Sequence, residues 1–116
     1  MPDIRPEELI YFENQLYLPM LMKVLEKDIN QINNLPLKLK RPYLQIVETA
    51  AEKVQKDLKA SEMYLLRNDM KVFKWGTDSD STTYIFQSRG IEDHKKLLNI
   101  EIKNKCEELL GAYLVH

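Results

Sequence analysis

The chain has one cysteine, Cys106, among its 116 residues. A single thiol excludes an internal disulfide and leaves no partner for a CxxC metal or redox motif, so the sequence does not ask for an oxidising compartment. At its helical spacing Cys106 reads as a small buried hydrophobe. Only three glycines occur, and they lie far apart. Neither GxGxxG nor GxxxxGK[ST] can be assembled from them, which removes the nucleotide-binding loops that sequence alone reveals. Long apolar runs are also missing. The longest, Leu16–Met22, contains Pro19 and falls far short of the ~20 residues that a membrane-spanning helix needs. Nor is there an excess of charge of one sign: 17 basic side chains face 18 acidic ones, for a net charge of −1. No global field therefore draws the chain to nucleic acid or to an anionic membrane. The opening MPDIRPEE is acidic where a secretory signal would be basic and then apolar, so a cytoplasmic address and no membrane partner are expected.

What the sequence does contain is enough to fold. A hydrophobic share of 44% and a charged share of 30% place it with globular proteins rather than disordered chains, and the length fits one domain over residues 1–116. The first helix is expected to start at Pro6, whose fixed φ suits a first helical position, with Glu7 and Glu8 at the acid-favouring end of the dipole. Leu9, Phe12, Leu16, Met20 and Val24 recur every three or four residues as one stripe. Pro19 removes a hydrogen bond within it, predicting a kink or two shorter helices. NQINN and Pro36 end the element by about Leu35, and PLKLKRP reads as an extended connector.

Pro42 is expected to open a second helix. Val47, Ala50, Val54, Leu58, Ser61 and Leu65 step by four and three in a heptad-like seam, with Ser61 alone out of character. No glycine or proline interrupts Tyr43–Met70, which permits one helix of about 28 residues and about 42 Å. Such length implies a partner helix in the same chain or in a second copy. The period then changes to two. Phe73 and Trp75 alternate on one strand, Tyr84 and Phe86 on the next. Pairing Phe73 with Phe86 sets Trp75 opposite Tyr84 and centres the turn between Ser79 and Asp80. All four rings would then share a face, packed on the helices. A last helix is expected after Gly90, with Glu92 and Asp93 in its first turn, a stripe of Leu98, Ile102, Cys106, Leu109 and Tyr113, and an end near Gly111. The expected fold is thus mostly α with a small β-hairpin (α+β), in the order α-α-β-β-α, long helices forming a bundle capped by a two-stranded antiparallel hairpin.

Chemistry is thinly represented. An enzyme built from side chains needs a nucleophile with a base, a carboxylate pair in unlike environments, or a metal cluster. Of the two histidines, His116 ends the chain and His94, in EDHKK, reads as a solvated side chain of a first helical turn. TDSDS resembles half of a calcium loop but lacks the glycine and terminal glutamate that such a loop requires, with Arg89 in the glutamate's place, so it reads as turn chemistry. Glu107 and Glu108 are adjacent in a helix and point about 100° apart, poor geometry for a dyad. No catalytic residue, metal ligand or cofactor is expected.

Two functional classes follow. In the first, the chain is a non-catalytic interaction or regulatory module, and Val47, Val54, Leu58 and Leu65 form a seam for a homo-oligomer or a protein partner. In the second, TAAEKVQKDLKAS (Thr49–Ser61) followed by MKVFKWGTDSDSTTYIFQSRG (Met70–Gly90) resembles the winged-helix DNA-binding family. That resemblance implies a recognition helix in Glu62–Asp69 carrying Arg67 and Asn68 to a groove, with Lys71 and Lys74 near phosphates. It also implies a break in the long helix near Lys59–Ser61.

Overall fold

In the computed structural model, which describes residues 5–115, the elements run α1 (Pro6–Asn34), α2 (Lys40–Arg67), β1 (Met70–Thr77), β2 (Ser81–Ser88), β3 (Ile91–Leu98) and α3 (Asn99–Val115). The first residues of MPDIRPEE and the terminal His116 lie outside the described residues. The architecture is mixed α+β, with three helices and a three-stranded sheet where a two-stranded hairpin was expected.

Pro6 stands in the first turn of α1, with Glu7 and Glu8 beside it. The helix then runs through Pro19 as one element of 29 residues rather than two. Its buried stripe changes phase at the proline: Phe12, Leu16 and Tyr17 precede it, whereas Leu18, Leu21 and Leu25 are the buried positions around and after it. Val24, expected in the stripe, is exposed. The shift reflects a change of neighbour. Phe12, Leu16 and Tyr17 pack with Leu65, Met70, Tyr84 and Phe86 where the helices meet the sheet. Leu18, Leu21 and Leu25 pack with Ala50, Val54 and Leu58 between the two long helices.

After Pro42 nothing in α2 interrupts the backbone, and it forms one helix of 28 residues that begins at Lys40, slightly before the expected proline. Ser61, the polar residue in the seam, is buried and accepts a hydrogen bond from Asn14 Nδ2 at 2.9 Å. Its hydroxyl is thereby satisfied, and α1 and α2 gain a fixed register. Asn68 closes the helix: its amide N–H reaches Tyr64 O at 3.1 Å, and its side-chain Nδ2 donates to the same carbonyl at 2.8 Å.

The sheet is antiparallel in the order β1-β2-β3. The β1–β2 turn is centred between Ser79 and Asp80 as the sequence suggests, with Thr77 paired to Thr82 and Asp78 N–H donating to Ser81 O at 2.8 Å. The pairing of the rings is different. Val72 lies opposite Phe86, Phe73 opposite Ile85 and Lys74 opposite Tyr84; the register shifts between Lys74 and Gly76. Trp75 is therefore the extra residue of a β-bulge. A slip of one residue sends side chains to the opposite face. Tyr84 and Phe86 are buried toward the helices, and Phe86 stacks on Phe12 at 4.9 Å between ring centroids. Phe73 and Trp75 point the other way, 38% and 67% exposed. The four rings do not share a face, and the indole is not hidden.

The third strand occupies the region expected to begin the last helix. Arg89 and Gly90 both have positive φ, 51° and 84°, and Ser88 pairs with Ile91. Two left-handed residues between paired strands form the tight hairpin turn whose twist matches that of strands, so the chain continues as β3. His94 consequently sits in a strand. Asp93, Lys95 and Leu97 are half-buried, while Glu92, His94, Lys96 and Leu98 are exposed, the alternation of a strand. The final helix starts only at Asn99, where Asn99 N–H donates to Asp80 O at 2.8 Å and Thr82 Oγ1 donates to Asn99 Oδ1 at 2.8 Å. It continues past Gly111 to Val115. Ile102, Cys106 and Leu109 lean on the core, but no residue of α3 is fully buried.

Candidate functional site

Of the seam proposed for a partner, Val54, Leu58 and Leu65 are buried inside the chain, and Val47 packs half-buried against the same core. The long helix found its partners in α1, α3 and the sheet. Val54, Leu58 and Leu65 are thus covered by this chain's own elements, and Val47 in part, with α2 lying along the equally long α1.

Arg67, Asn68, Lys71 and Lys74 do not converge. Arg67 is the last residue of α2, and the Asn68 amide caps that helix. Lys71 and Lys74 are three apart on β1 and so project to opposite faces of the sheet. Because α2 is unbroken through Lys59–Ser61, the turn that a winged-helix arrangement requires is missing. Its resemblance was carried by a hairpin following a helix, and here that hairpin is the first two strands of a larger sheet.

Several polar groups hold the fold. Glu8, buried at the start of α1, receives a hydrogen bond from Arg89 Nη2 at 2.9 Å across 81 residues of sequence. That bond, against the opposing effect of burial, holds the Glu8 carboxyl below its ordinary value of 4.5. The Arg89 backbone N–H also donates to Asp69 O at 3.0 Å, and both residues have positive φ. Two strained turns and the first turn of α1 are thus joined at one point. A lowered carboxyl pKa contributes stability that is complete above the unfolded value and is lost as pH falls through the native one. Thermal unfolding followed from neutral pH down into the acid range should therefore show the midpoint dropping below about pH 4.5 in the wild type. Glu8→Gln should flatten that part of the profile, and an unchanged profile would show that Glu8 contributes nothing there.

Other titratable groups are equally committed. Tyr113 on α3 donates to Asp57 Oδ2 at 2.6 Å on α2, and burial together with that bond pushes its hydroxyl well above the usual tyrosine range. Burial raises the Cys106 thiol, whose Sγ lies 3.9 Å from Met20 Sδ, so it stands as a packed thiol rather than a thiolate nucleophile. Among the described residues no group of three His, Cys, Asp or Glu side chains gathers to hold a metal ion, and no helix is long and apolar enough to cross a membrane.

The outer face of the sheet is the most distinctive exposed surface. Phe73, Ile85 and His94 follow one another across the three strands, and the Trp75 indole lies 6.0 Å from the His94 ring. Ile85 is buried beneath its exposed neighbours. Lys71 and Lys96 lie on this face with Glu92, and Lys96 Nζ approaches Asp78 Oδ2 at 3.7 Å while His94 Nε2 approaches Glu92 Oε1 at 3.5 Å. Beside β1 the surface continues into an open groove of about 510 Å³, lined by Gln15, Leu65, Leu66, Met70, Val72 and Phe73. The Gln15 Oε1 atom there is buried without a hydrogen-bond partner among the described residues. Ile85 and His94 were not anticipated as members of a surface. Gly76, directly after Trp75, was the available signal, since a glycine inside a strand marks bulges.

A family model described as YhjD protein matches residues 3–116. The uncharacterized protein YhjD of Bacillus subtilis (strain 168) is 31% identical over 114 residues, covering 98% of this chain and 95% of that relative. No solved structure matches the chain.

Proposed function

The chain belongs to the YhjD protein family, and we propose that it is a non-catalytic cytoplasmic module that self-associates through the outer face of its sheet. The observation that carries this reading is the Trp75 bulge. An indole two-thirds exposed beside Phe73 and His94, over the buried Ile85, is the kind of aromatic anchor that concentrates binding energy at protein contacts. The charges around it favour a second copy. Lys71 and Lys96 are balanced by Asp78 and Glu92, so a twofold arrangement can oppose unlike signs, whereas a base-stacking platform would lie in a basic groove.

Size limits the strength. A face of three strands, each eight residues long, spans about 26 Å by about 14 Å. That is under half of the roughly 800 Å² per partner typical of stable complexes, so the association is weak and concentration-dependent.

The single tryptophan reports directly on this. As protein concentration rises, its emission should move to the blue while sedimentation equilibrium shows mass above that of the monomer. Trp75→Ala combined with Phe73→Ala should remain monomeric with an unchanged helical circular dichroism signal. A wild-type protein that stays monomeric with constant emission up to the highest soluble concentration would refute the proposal.

A further inference from the structure

The far end of the helical hairpin has a different character from the rest of the molecule. No residue of α1 beyond Leu25 is buried and none of α2 before Val47 packs on the core, so both helices project about 10 Å or more past it. From Ile29 to Val47 the sequence INQINNLPLKLKRPYLQIV contains Lys38, Lys40 and Arg41 and not one acidic residue, although acids outnumber bases in the whole chain. Within the same stretch Leu35, Leu37, Leu39, Tyr43 and Ile46 are all exposed, Leu39 by 76%. Scattered exposed apolar residues need no explanation, but five of them on one tip do. Lys40 Nζ donates to Asn33 O at 2.6 Å, which pins the connector and leaves Lys38 and Arg41 at the surface.

We propose that this tip docks the protein on an anionic lipid surface, with Leu37 and Leu39 entering the headgroup region and Lys38 and Arg41 meeting lipid phosphates. Charge complementarity selects the occupant. A tip with three cations and no acid between Asp28 and Glu48 repels a second copy of itself and attracts an anionic surface. Shape agrees, because the leucines lie on a convex turn between two helices, which a fluid interface accommodates without a matching cleft. Tyr43, one turn into α2, has the apolar body and polar end suited to the headgroup boundary. Surface docking of this kind needs no spanning helix, so it is compatible with described helices that are too short of apolar residues to cross a membrane. Residues on the tip are remote from Trp75: Leu35 follows Phe12, which stacks beneath the sheet, by about 34 Å of helix. Lipid docking and self-association can therefore fail independently.

Flotation of the full chain with vesicles separates the possibilities. Equimolar phosphatidylcholine and phosphatidylglycerol should carry the protein upward, phosphatidylcholine alone should not, and added salt should weaken the binding. Lys38→Ser with Arg41→Ser should reduce affinity about 30-fold, at roughly fivefold per cation. Leu37→Ser with Leu39→Ser should reduce it about tenfold or more. Neither pair touches the core, so helical content should be unchanged in both. Absence of binding to the anionic vesicles at low salt overturns the proposal and leaves an acidic protein surface as the occupant. Binding that tolerates the loss of both leucines overturns it as well, since the tip would then not enter the interface.

Discussion

Val54→Asp should unfold the protein. Val54 is fully buried between α1 and α2, packed with Leu21, Leu25 and Ala50. The side chains buried beside it are apolar, so a carboxylate placed there finds no buried cation to pair with. The cost of burying it unpaired is on the order of 5 kcal/mol, comparable to the whole stability of many domains of this size. Circular dichroism should show loss of helix at room temperature, or a melting midpoint lowered by tens of degrees. The experiment also separates two uses of a heptad-like seam. Were Val54 a contact for a partner, the aspartate variant would keep its helical content and lose only association; a fully helical variant would thus contradict the packing described above.

Phe12→Ala should follow closely, at about 3–5 kcal/mol. The ring is wholly buried and lies nearly parallel to Phe86, with an interplanar angle of 4°. It is the point at which the sheet rests on the helices, so its removal opens a cavity where two kinds of structure meet. Chemical denaturation should show the midpoint falling with little change in slope. Phe12→Leu, which refills most of the volume, should recover more than half of the loss. A loss under about 1 kcal/mol for the alanine variant would mean that the sheet is held elsewhere.

How much of this was legible in the sequence depended on range. The two long helices were readable because their signals are local: proline and two glutamates at one start, and a run without glycine or proline in the other. Even the tip of the first hairpin was placed correctly from its polar residues. The register was not, because one bulged residue at Trp75 reverses which rings face the core, and a bulge leaves only Gly76 as its mark. Ile91–Leu98 failed for another reason. Its strand alternates half-buried and exposed charged residues, and IEDHKK after a glycine carries the same acids that favour a helix start. What decided the matter was the pair of left-handed residues at Arg89 and Gly90, and arginine gives no warning of a positive φ. Glu8 with Arg89 had no local signal at all, since the fold alone brings them together. The candidate surface around Trp75 was visible as a set of aromatic residues, but its exposure was not.

The charges on β3 bear on what kind of assembly the sheet allows. β3 is an outer strand with its backbone groups along one side unpaired, the usual template for runaway strand addition. Glu92, Asp93, Lys95 and Lys96 occupy it, with Lys95 already held to Asp93 at 3.2 Å. An incoming strand would have to dehydrate four ions at once. Strand addition along β3 is thereby opposed, so a second copy has less to gain at this rim than on the face beside it.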